Sequence, residues 1–89
     1  MTYSGPVRII DTNGFLLTVG TAEIVDDPDL GAWSGRLEVL DGTGVAGKAL
    51  VVDLEVDGHR GRAQLIPEST RGDMAISAVV GLGPIPRFL

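Results

Sequence analysis

The chain has no cysteine, a single histidine (His59) and a single lysine (Lys48) in 89 residues. The first absence removes disulfides, thiolate metal sites and a cysteine nucleophile together. The second removes any metal centre built from several histidines. Aromatic residues are scarce: Tyr3, Phe15, Trp33 and Phe88 are the whole set. No apolar stretch is long enough to span a bilayer. The start, Met1-Thr2-Tyr3-Ser4-Gly5-Pro6, lacks the basic and apolar segments of a secretory signal, and for a chain without cysteine the cytosol is the expected compartment, a cytoplasmic location. Repeats, linkers and low-complexity segments are missing as well. The net charge of −5 argues against a footprint on a phosphate backbone, and hence against nucleic acid as partner. Arginine supplies nearly all the cations, a bias consistent with a GC-rich bacterial genome.

What is present reads as one small β domain over residues 1–89. The hydrophobic fraction of 44% and charged fraction of 21% are those of a folded domain. With so short a chain and no cross-links, the core alone must hold the fold, and self-association would help. The clearest local signal is Asp57-Gly58, between two runs of period two. Leu50, Val52, Leu54 and Val56 alternate with Val51, Asp53 and Glu55. Beyond the turn, Gly61, Ala63 and Leu65 alternate with Arg60, Arg62 and Gln64. Both turn residues accept positive φ, so a two-residue hairpin is expected. Its register places Val56 opposite His59, Glu55 opposite Arg60, Leu54 opposite Gly61, and Asp53 opposite Arg62.

Helix-period segments are absent. Val7–Asp11 is a short strand and Thr12-Asn13-Gly14 a turn. Phe15–Val25 is extended, with Gly20 marking a bulge or barrel bend and with Leu16 and Leu17 competing for the inside. Asp26–Gly31 is a loop that can hold one helical turn begun by Asp27-Pro28. In Trp33–Leu40, one face carries Trp33, Gly35, Leu37 and Val39. Asp41–Gly47 is a glycine-rich connection, read as a flexible hairpin loop. Lys48–Val56 and His59–Pro67 form the hairpin. Glu68–Asp73 is polar and turn-like, and Met74–Leu82 is a strand apolar on both faces. A tail with Pro84 and Pro86 follows. About six strands joined by short turns predict an all-β antiparallel meander, closed or half-closed into a barrel that hides its apolar face.

Several tempting motifs have plainer readings. Gly42-Thr43-Gly44-Val45-Ala46-Gly47-Lys48-Ala49 resembles a phosphate-binding loop, but a strand follows where such loops need a helix N-terminus, and Ala49 cannot hold magnesium. Asp26, Asp27 and Asp29 lack the glycine and closing glutamate of a calcium loop. Asp11-Thr12-Asn13-Gly14 begins like one and then runs into Phe15-Leu16-Leu17. Arg71-Gly72-Asp73 is a turn. His59 has no nucleophile signature beside it and reads as a polar residue at a strand end. Arg36, Arg60 and Arg62 can form a cationic strip on the outer face, largely neutralised by Asp53 and Glu55. Trp33 is expected in the core; with Phe15 and Tyr3 it can instead line a pocket if the barrel mouth is open.

Four short motifs carry a resemblance. They are Tyr3, Gly5 and Pro6 at the start; Trp33, Gly35, Arg36 and Leu37 in the middle; Arg71-Gly72 late; and Gly81, Gly83, Pro86 and Phe88 at the close. With these the chain resembles a family of small actinobacterial β domains of unknown function, some of them appended to flavin-dependent monooxygenases. The close, Pro84-Ile85-Pro86-Arg87-Phe88, departs from the adjacent prolines of that pattern. The resemblance implies no catalytic residue, and an accessory role beside a flavin oxygenase.

The functional expectation is a non-enzymatic binding or interaction module that forms a homo-oligomer, without cofactor, metal or membrane. Its partner is a copy of itself, another protein or a small apolar ligand carried in the barrel mouth. Candidate ligand or interface residues are Trp33, Arg36, Arg60, Arg62, Met74, Ile76 and Phe88.

Overall fold

The computed structural model describes residues 1–89. It contains six strands and no helix: β1 (Thr2–Ile10), β2 (Leu16–Asp27), β3 (Ala32–Leu40), β4 (Leu50–Val56), β5 (His59–Arg71) and β6 (Met74–Gly81). No helix is therefore long and apolar enough to cross a membrane. All neighbouring strands are antiparallel, in a closed ring ordered β1-β2-β3-β6-β5-β4. The ring closes lightly, since β1 meets β4 through only three residue pairs, Arg8↔Glu55, Ile9↔Leu54 and Ile10↔Asp53. Period-two alternation does the sorting, with inward side chains filling the lumen and outward ones facing solvent.

The β4–β5 hairpin has the register its sequence predicts, from Val56↔His59 to Asp53↔Arg62. Asp57 (φ 52°) and Gly58 (φ 80°) both take the left-handed conformation that lets the turn match the strand twist. The Asn13-Gly14 turn is different, because only Gly14 has positive φ. There Asp11 organises the loop: its Oδ1 accepts from the backbone N–H groups of Asn13 and Phe15, each at 2.9 Å. At the β2–β3 turn, Leu30 N–H donates to Asp27 O and Gly31 N–H to Pro28 O, a single tight helical turn.

Three local expectations are corrected. First, β1 starts at Thr2, well before Val7, and Pro6 lies inside it. Pro6 is tolerated because that half of β1 pairs only with β2. Second, Glu68–Asp73 is mostly strand: β5 continues to Arg71 through a bulge between Pro67 and Ser69. Its residues are polar because β5 has outrun β4 and faces solvent there. Third, Asp41–Gly47 is no hairpin loop. Strands β3 and β4 are not neighbours, and the connection passes β6 and β5 to reach the far side. Asp41 N–H donates to Asp73 O (2.7 Å), which ties the connection to the β5–β6 turn, and Val45 is driven into the core. The chain is thus two three-stranded meanders joined across one end of the barrel.

The core is a cluster of 15 buried side chains, including Val7, Ile9, Leu37, Leu54, Leu65 and Val79. Trp33 sits at the end of the barrel that carries the β2–β3 and β4–β5 turns. A methyl at Gly81 would collide with its ring at Nε1, and one at Gly61 would lie 3.0 Å from it. Those two glycines make the room for the indole. Pro86 of the tail is buried over the same site, and Phe88 meets Tyr3 edge-on with centroids 5.6 Å apart.

Candidate functional site

The expected residues divide into three separate places. Trp33 is 3% exposed and belongs to the core. Phe15 is 69% exposed and lies in the β1–β2 turn at the opposite end, so no aromatic pocket joins the two. Phe88, in the tail, packs against Tyr3. The interior mouth expected to take a ligand is filled by the indole and covered by Pro86. The Trp33 Nε1–H has no acceptor there, nor has the buried Thr43 Oγ1 a partner in the crossing loop.

The second place is the outer face of β4 and β5. Arg60 donates to Glu55 (2.7 Å), Arg8 approaches the other oxygen of Glu55 (3.5 Å), and Arg62 donates to Asp53 (3.1 Å). The hydrogen bond to Asp53, and then the charge of that carboxylate, raise the pKa of the Arg62 guanidinium above its ordinary value. Every charge in this strip is compensated within the sheet. Arg36 is not part of it, because β6 separates Arg36 on β3 from β5. The single cationic strip is therefore replaced by two distinct arrangements.

The third place is the outer side of β6. Met74, Ile76, Ala78 and Val80 point outward there, while Ala75, Ser77 and Val79 point into the core. On the β3 flank, the register places Leu40 beside Met74, Glu38 beside Ile76, Arg36 beside Ala78 and Ser34 beside Val80. On the β5 flank, Arg71 lies beside Met74, Ser69 beside Ile76, Ile66 beside Ala78 and Gln64 beside Val80. Two ion pairs span from flank to flank over β6. Arg36 reaches Glu68 at the β5 bulge (3.4 Å), and Arg71 donates to Glu38 (2.9 Å). The bulge is what brings Glu68 to the outer face, since it inserts that residue between the paired Pro67 and Ser69.

These two straps explain the graded burial along β6. Met74, Ile76 and Ala78 are half-buried beneath the arginine stems, whose methylenes cover apolar surface while the guanidinium stays wet. Val80 lies past the last strap and Ile66 lies on the β5 side at the level of Arg36, and they are 41% and 42% exposed. The straps link residues far apart in the chain, so no local pattern announces them. The apolar outward set on β6 is legible in the sequence; its cover is not.

Beside Val80 the sheet surface is hollow. Small side chains at Thr2, Ser4, Ser34 and Ala78, walled by Val25 and Val80, leave a shallow groove of ≈ 790 Å³. Glu23 and Arg36 stand opposite each other at its end. His59 stands apart, at the start of β5 near the tail residues Pro84 and Arg87. No three His, Asp or Glu side chains gather where they could hold a metal ion. The arrangement on β6 offers contact area and fixed charges, the means of surface recognition. Set against known proteins, the chain matches no family model, no curated protein and no solved structure.

Proposed function

We propose that this chain is a non-catalytic cytoplasmic interaction module that associates with copies of itself through the outer face of β3, β6 and β5. One observation carries the reading. The outward side of β6 is apolar at Met74, Ile76, Ala78 and Val80, whereas a solvated strand face is ordinarily polar. The packed lumen supports an external surface over an internal ligand site. The charged outward residues of the β4–β5 face, Asp53, Glu55, Arg60 and Arg62, support placing that surface away from it.

Sedimentation velocity across the micromolar range tests the proposal. A concentration-dependent shift from monomer to dimer is the expected result. A single monomer species throughout would end the reading.

A further inference from the structure

The four charges that flank β6 form a pattern with a geometric consequence. On the β3 side, Arg36 and Glu38 follow one another outward from Ala78 to Ile76. On the β5 side, Glu68 and Arg71 follow in the same direction with the signs reversed. Each charge thus faces its opposite across the apolar strand, at 3.4 Å for Arg36–Glu68 and 2.9 Å for Arg71–Glu38.

Let a second copy meet this face about a two-fold axis parallel to β6. That operation keeps height along the strand and exchanges left for right. The β3 flank of one copy then lies over the β5 flank of the other. Arg36 meets the partner's Glu68, and Glu38 meets the partner's Arg71. No other adjustment of height is needed, because the offsets are those the pairs already have within one chain. On the axis itself, Met74, Ile76, Ala78 and Val80 meet their own counterparts, as a two-fold interface requires.

We infer that β6 is the seam of a homodimer in which its two covering ion pairs are exchanged between copies. This rests on the self-association reading and gives it a surface and a symmetry operator. Within one chain the straps are solvent-exposed, with arginine side chains 72% and 75% accessible, so opening them costs little. In the dimer every charge regains an opposite partner, which avoids the penalty of an unpaired charge at an interface. The gain is the apolar stripe, together with Val80, Ile66 and Leu40, removed from water. A stable pair needs about 800 Å² from each partner, a modest share of the chain's 5118 Å².

Charge reversal tests the exchange. One variant carries Arg36→Glu and Arg71→Glu, which makes all four positions acidic. The other carries Glu38→Arg and Glu68→Arg, which makes all four basic. Each alone is expected to lose dimerisation by roughly tenfold or more, with circular dichroism and Trp33 emission unchanged. Mixed together, they are expected to restore a one-to-one dimer. A second measurement does not depend on charge variants. Ala78 lies on the proposed axis, and the chain has no other thiol, so Ala78→Cys should be linked into a dimer by a short bismaleimide, which adds one thiol at each end and spans the ~10 Å between packed sheets. Thr12→Cys, in the β1–β2 turn, should not.

Four outcomes overturn the inference. Reversed variants that dimerise like the wild type, or a mixture that stays monomeric beside a dimeric wild type, place the interface elsewhere and leave self-association standing. An Ala78→Cys chain that stays unlinked while Thr12→Cys links does the same. A wild type that is monomeric throughout removes both readings.

Discussion

Gly81 shows how much a single missing side chain can decide. Trp33 is the largest residue of the chain, and its ring lies where a Cβ on Gly81 would be. Replacing Gly81 by Ala must push the indole or the strand, and overpacking of this kind costs about 1–3 kcal/mol. Urea denaturation should register that loss, with a red shift of Trp33 emission as the ring is displaced. At Gly58 the constraint is backbone conformation. Nothing lies within 4 Å of the position a Cβ would take, so only φ opposes a side chain there. Gly58→Val should therefore cost about 1–3 kcal/mol, and Gly58→Asn clearly less, because Asn tolerates positive φ. Equal losses for Val and Asn would mean that crowding, and not φ, is the obstacle. The Gly58 requirement is legible from Asp57-Gly58 and its flanks. The Gly81 requirement is not, since nothing near Gly81 in the chain mentions Trp33.

Among the elements, the tail and the crossing loop act as plugs for the two ends of the barrel. Pro86 is buried, and Ile85, Phe88 and Leu89 pack against the core. They complete the wall beside the half of β1 that β4 does not reach. Truncation after Gly83 should cost roughly 3–6 kcal/mol, the value of several partly buried apolar side chains. A lowered thermal midpoint and exposed Trp33 emission would record it; an unchanged midpoint would show that the tail is ornament to the fold. At the other end Val45 does the same work from a loop of otherwise small and polar residues. The glycine-rich stretch Gly42–Gly47 reads identically whether the chain reverses into a hairpin or crosses to the far strand. Glycines permit both paths, and the choice belongs to the partner that β4 finds. The first half of β1, before Val7, is not legible for a related reason: Pro6 cannot donate to a ladder, and only the tertiary structure shows that β1 has a single neighbour there.

At the scale of the molecule, the radius of gyration is 11.9 Å, close to the ~12 Å of a fully collapsed domain of this length. The single chain is thus already collapsed, and the proposed association would add to a finished monomer. That separates two quantities which would merge in an obligate dimer: folding stability and dimer affinity. Ion pairs at the rim of a seam are screened by salt, so the dimer should weaken several-fold when salt is raised from low to molar concentration. The thermal midpoint of the dilute monomer should change much less. Sedimentation at two salt concentrations, with a melt at each, would separate them. A dimer indifferent to salt would mean that the flanking charges take no part.

The residue order by itself determined the local pieces: the Asp57-Gly58 hairpin with its register, the buried face of Trp33–Leu40, and an all-β chain obliged to hide one side. Those follow from turn chemistry and period-two alternation, which act between near neighbours. The tertiary structure alone decided that β6 lies between β3 and β5, that glycines distant in sequence make room for the indole, and that Arg36 and Arg71 find carboxylates across a strand. Such contacts depend on which strands become neighbours, and that is settled by closing the whole ring, where every strand must find two partners at once.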